Sequence, residues 1–144
     1  MSEANVREQM MNQDWLLEML VAMVDAQSVS INITLSIGGS LVSGKLVSGK
    51  EYFNSFADQV SSGFKDMGVS EATAKTMREQ LAQPGEVFHG ESTDSKLKNK
   101  PSYLHLKNAR IISGNASYAS QSTWYRGRLS TVDGFFLGDA IPNK

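Results

Sequence analysis

Residues 29–37 carry the sharpest pattern in the chain. Val29, Ile31, Ile33, Leu35 and Ile37 alternate with Ser30, Asn32, Thr34 and Ser36. Strict alternation predicts a strand with one buried and one wet face. Gly38-Gly39 follows and suits a two-residue hairpin turn. The return strand runs from Ser40 to about Ser48 and holds a tandem LVSGK-LVSGK at residues 41–50. The repeated unit has an odd length, so its two copies fall on opposite faces of a regular strand and do not repeat a structure. Gly44, in mid-strand, predicts a bulge or a sharp bend.

Helical spacing appears on both sides of this hairpin. Asn12 or Asp14 can cap a helix starting near Trp15, where Leu16, Met19, Leu20, Met23 and Val24 recur at three and four residues. Leu17 and Val21 widen the stripe, which predicts a helix buried on more than one side, or one that docks on a partner. After the hairpin, Tyr52, Phe53, Phe56, Val60 and Phe64 keep helical spacing, and Gly63 and Gly68 mark the end of that helix. Ser70 can cap another, with Ala74, Met77 and Leu81 inward and a stop at Gln83-Pro84-Gly85. Residues 83–101 then read as a polar, mobile loop closed by Pro101.

Three strand-like segments finish the chain. Residues 103–113 begin with alternation and slip near Asn108, as a bulge requires. Residues 114–122 read as a Gly/Ser/Asn loop, and residues 123–129 and 132–138 as a final strand pair. Two turns compete there. Asp133-Gly134 is a favoured hairpin dipeptide, whereas Ser130-Thr131 keeps more apolar residues in strands. The order predicts one α+β domain over residues 1–144. A small, strongly bent five-stranded antiparallel sheet is expected from strands at about 29–48 and 102–138. A helix at about 14–26 precedes it, and a two-helix insertion at about 51–82 separates strands 2 and 3.

Composition narrows the chemistry. A length of 144 residues suits one domain. Cysteine is absent, which removes disulfides, thiol nucleophiles and cysteine metal sites. With two histidines, no G-x-S-x-G elbow and no phosphate loop, the chain is read as no enzyme, with no catalytic residues, no metal and no cofactor. Asp133 and Asp139 make only a weak pair for a hard cation. Glu18 and Asp25 interrupt the apolar run 15–26, too short to span a bilayer, and no signal-peptide pattern precedes it. A cytoplasmic protein without membrane insertion is expected.

The net charge of −1 conceals a division. Residues 1–94 hold 13 acidic and 6 basic side chains, a balance of −7. Residues 95–132 hold seven basic side chains and no acidic one. Such segregation can steer a partner, a nucleic acid or a second copy of the chain. Trp124, Tyr125, Arg126 and Arg128 interleave aromatic and basic groups, a pattern able to stack on and neutralise single-stranded nucleic acid. With Lys107 and Arg110 they form the candidate partner-binding set: Trp124, Arg126, Arg128, Lys107 and Arg110. His105, between Leu104 and Leu106, reads as a structural histidine.

Two resemblances rest on these segments. The opening helix, the I-x-I-x-L strand, the glycine hairpin, the bent second strand, H-L-K-N-A-R-I and Y-R-G-R-L together resemble the Sm-like family, with Arg126-Gly127 at its R-G position. That resemblance implies a small Sm/SH3-like barrel and, as an alternative function, a single-stranded RNA-binding module. The second covers about a third of the chain: the L-V-S-G region through Lys50-Glu51-Tyr52-Phe53, His105 through Ile111, and Trp124 through Gly138 (WYRGRLSTVDGFFLG). These blocks resemble the gas vesicle accessory protein U family. The resemblance implies a cytoplasmic accessory protein in vesicle assembly or clustering. Its implied partners are itself, as a homo-oligomer, and the vesicle shell or other gas vesicle proteins.

Overall fold

A computed structural model describes residues 13–87, 101–114, 116–119 and 123–140. The chain divides into two compact units, Met1–Ser48 with Ser92–Lys144, and Gly49–Glu91. The first contains helix α1 (Trp15–Gln27) and strands β1 (Ile31–Ile37), β2 (Ser40–Val47), β3 (Tyr103–Ser113), β4 (Ala116–Ala119), β5 (Trp124–Arg128) and β6 (Gly134–Leu137). The second contains helices α2 (Gly49–Asp66) and α3 (Glu71–Val87).

The strands form one antiparallel sheet in the order β4-β3-β2-β1-β6, and β5 also pairs with β3. β5 lies along residues 103–107 of β3 and β4 along residues 110–113, so the two share the edge of β3 opposite β2. The sheet of the expected small barrel is left open: β5 pairs with β3, β6 pairs with β1, and no ladder joins them. The expected pairing of the last two strands with each other is corrected in the same way. A 3-10 turn, Leu129–Thr131, carries the chain between them, close to the Ser130-Thr131 alternative. Asp133 serves elsewhere, its carboxylate accepting a hydrogen bond from Gly38 N at 3.0 Å. β4 lies inside the segment expected to be a loop; backbone pairing with β3 makes a strand there despite its Gly/Ser/Asn composition.

Local chemistry explains the elements. Asp14 caps α1, accepting from Leu16 N at 2.9 Å and Leu17 N at 3.4 Å. Gly38 and Gly39 have φ of 55° and 87°, as a tight hairpin turn with both central residues left-handed requires. One face of the sheet carries Ile33 and Leu35 of β1, Val42 and Leu46 of β2, and Leu104, Leu106 and Ala109 of β3. Leu17, Val21 and Val24 of α1 close over them. Contrary to expectation, α1 is buried on one side only, because a single sheet face receives it; Leu16, Met19 and Met23 point outward.

The bulge joins β2 to β3. Ser43 pairs with Arg110 and Lys45 with Lys107, so Gly44 alone opposes Asn108 and Ala109. Asn108 takes a left-handed φ of 53°. A Cβ on Gly44 would lie 3.0 Å from the Lys107 carbonyl oxygen and 3.2 Å from Ala109 Cα. Any larger residue would need the β3 backbone to give way by a few tenths of an ångström.

On the opposite face Thr34 and Ser43 are buried, with their hydroxyls 3.0 Å apart. Thr34 Oγ1 donates to Gly138 O at 2.8 Å, and Ser43 Oγ accepts from Ala140 N at 3.0 Å. Two hydroxyls thus fasten residues 138–140 across the sheet.

In the helical unit, α2 ends in a Schellman-type cap: Val69 N donates to Phe64 O and Gly68 N to Lys65 O, both at 3.0 Å, with Gly68 at φ 97°. Ser70 caps α3 through Thr73 N. The helix does not stop at Gln83-Pro84-Gly85 but runs through Pro84 to Val87. A Cβ on Gly85 would fall 3.0 Å from Lys50 Cα and 3.2 Å from Phe53 Cβ, so close packing against the start of α2 holds this turn despite the proline. Arg78 pairs with Asp58 across the two helices. Residues 88–100 of the expected loop lie outside the described residues.

Gly44→Val should destabilise the full chain by ~1–3 kcal/mol through forced separation of β2 and β3. Urea unfolding followed by circular dichroism reads this as a lower midpoint at unchanged slope.

Candidate functional site

The bulge decides which side chains share the face opposite α1. Before Asn108, Leu104 and Leu106 point to the core and Tyr103, His105 and Lys107 away from it. The extra residue reverses the parity, so that Ala109 turns inward and Arg110 outward. Lys107 and Arg110 therefore share a face although three residues apart. On β5, Tyr125 joins the core while Trp124, Arg126 and Arg128 take the other side. Gly127 makes room for this, since a Cβ there would meet the Tyr125 ring at 2.6 Å.

All five residues of the candidate set thus lie on one face. Lys107 opposes Trp124, His105 opposes Arg126, and Tyr103 opposes Arg128. Arg110 follows beyond the bulge, opposite Ser43. The register adds two residues that sequence reasoning missed. Lys45 sits directly opposite Lys107, and Tyr103 flanks Arg126 and Arg128. Lys45 ends the first LVSGK copy; its outward position follows from the alternation around Leu46, but its proximity to Lys107 needs the strand pairing. No Asp or Glu occupies a paired position on this face.

The aromatic rings already carry cations. Arg126 Cζ lies 3.7 Å from the Tyr103 ring centre, and Lys107 Nζ lies 5.7 Å from that of Trp124. Lys45 and Lys107 face each other across the ladder, an arrangement that disfavours the sheet unless solvent or an anion screens it. Among the described residues no group of three or more His, Asp or Glu side chains converges as a metal site.

His105 is buried on this face, opposite Arg126. Burial, and then the neighbouring Arg126 charge, lower its pKa to about 4. The imidazole is neutral at pH 7 and supports the face without adding charge. Burial also raises the Tyr125 pKa.

Stability should respond accordingly. An unfolded His105 takes up its proton near pH 6.5, whereas the folded one resists until about pH 4. Between these values the unfolded chain binds more protons, so stability falls as the pH drops. The loss from pH 7.5 to pH 5 should be about 2 kcal/mol, and His105→Gln should remove it in paired urea titrations.

Comparison with known proteins bears on the whole chain. No curated protein and no solved structure is significantly similar to it. A family model, described as gas vesicle protein GvpU-like, matches residues 14–140. That span takes in α1, every strand of the sheet and the helical unit, and the chain belongs to the GvpU-like family of gas vesicle proteins.

Proposed function

We propose that this chain is a non-enzymatic, cytoplasmic accessory protein that acts in gas vesicle assembly or clustering through the cationic face of its sheet. The observation that carries the reading is the convergence of Lys45, Lys107, Arg110, Arg126 and Arg128 from three strands onto one face whose paired strand positions hold no carboxylate. Trp124 and Tyr103 stiffen that face. Its partner is an acidic protein surface, on the vesicle or on the acidic half of another copy, joined by charge complementarity. The strand order, and the 3-10 turn between β5 and β6, support reading the sheet as an Sm/SH3-like barrel left open at that point.

Single-stranded RNA is the second reading, favoured by the aromatic–basic row. The cations seated over Tyr103 and Trp124 weigh against it, because base stacking would have to displace them.

Flotation separates the readings. Purified gas vesicles are mixed with tagged protein and floated by centrifugation, with an unrelated protein of similar charge as control. At low salt the protein should rise with the vesicles. It should stay behind at 1 M salt, where the Debye length is ~3 Å. The double variant Arg126→Glu/Arg128→Glu should fail to rise at either salt. Absence of the wild type from the floated layer under all conditions overturns the vesicle reading. Salt-steep binding of a labelled single-stranded RNA would then put the second reading in its place.

A further inference from the structure

Helix α1 turns its charged residues away from solvent and several of its apolar ones toward it. Glu18 is buried, accepting from Gln13 Nε2 at 3.0 Å, and Asp25 is half-buried. Outside lie Trp15 (68% exposed), Leu16 (42%), Met19 (48%) and Met23 (54%), with exposed Ala22 and Ala26 between and beyond them. At 100° per residue these six positions fill one continuous arc of roughly 120°. That arc contains no charge.

Size is ordered along this stripe. One side of it is formed by Trp15, Met19, Ala22 and Ala26, spaced four, three and four residues apart, the seam spacing of a coiled coil. The two large residues are at the N-terminal end and the two small ones at the C-terminal end. Two copies laid antiparallel about a point between Met19 and Ala22 set Trp15 against Ala26 and Met19 against Ala22, large on small throughout. A parallel pair would set Trp15 on Trp15 and leave Ala22 and Ala26 facing a gap. Residues 1–12 are a poorer cover: their apolar members after Met1 are Val6, Met10 and Met11, with Ala4, among Glu3, Arg7 and Glu8.

We infer that α1 forms a symmetric, antiparallel dimer with α1 of a second copy of this chain. The stripe offers on the order of 500 Å² per copy, less than the ~800 Å² of a standard interface, so the dimer is reversible and concentration-dependent. The inference goes beyond the proposed vesicle contact and uses the opposite side of the sheet. Where that contact also holds, the dimer presents two cationic faces and can bridge two acidic surfaces.

The chain has no cysteine, so single introduced thiols report the geometry cleanly. Under mild oxidation, Met19→Cys mixed with Ala22→Cys should give a disulfide-linked dimer, as should Trp15→Cys mixed with Ala26→Cys. Trp15→Cys alone should stay unlinked, because its counterpart sits ~16 Å away along the helix axis. Sedimentation of the full-length protein should show dimer that persists in 1 M salt, where the charge-based vesicle contact is lost. Met19→Glu should weaken dimerisation by roughly 30-fold, the loss expected at a hot spot, with unchanged circular dichroism. Monomer at every concentration, as residues 1–12 lying on the stripe would produce, overturns the inference. So does self-linkage of Trp15→Cys. Failure of the vesicle contact would appear only in flotation and leave the dimer standing.

Discussion

The close approach of β3 to Gly44 governs both sides of the sheet. One extra residue at Asn108 shifts the alternation of β3, and the shift falls where β2 lacks a Cβ. Were β3 regular, Arg110 would point among Val42 and Leu35, and a guanidinium would sit in an apolar core without water. The bulge instead delivers Ala109 to the core and Arg110 to the opposite face. Packing and charge distribution thus share a single cause.

The two faces lead to unlike surfaces. Inside, Leu17, Val21 and Val24 of α1 complete the core and leave an uncharged stripe on the helix's outer side. Outside, Lys107 and Arg126 lie over the Trp124 and Tyr103 rings. A contact at one surface does not occupy the other. That arrangement suits a protein of the GvpU-like family whose proposed work is to connect things.

Features set by nearest neighbours were legible in the sequence: the strand at β1, though Thr34 on its expected wet face is buried and Val29 lies outside it, the Gly38-Gly39 turn, the caps at Asp14 and Ser70, and the slip at Asn108. Features set across the sheet were not. β4 is made by backbone pairing to β3 and has little of a strand's usual composition. The last two strands follow each other in sequence, yet β5 belongs to β3 and β6 to β1. α3 continues past Pro84, where Gly85 packs closely on Lys50 and Phe53, far away in sequence. The candidate residues show the same division. Lys107, Arg110, Trp124, Arg126 and Arg128 were visible as charges and aromatics in a basic segment. That they share a face depends on the bulge, and Lys45 joins them only through the β2–β3 register. No helix among the described residues is long and apolar enough to cross a membrane, in keeping with the interruptions at Glu18 and Asp25.

The clasp at Thr34 and Ser43 has a practical meaning for anyone attaching a probe. It holds residues 138–140 across the cationic side of the sheet, and Ser43 is also the ladder partner of Arg110. A fluorescent protein or affinity handle joined after residue 140 would therefore leave the fold beside the charges that the proposed contact uses. A small dye there would be a sensitive reporter of that contact, and a bulky fusion would be a steric shield against it.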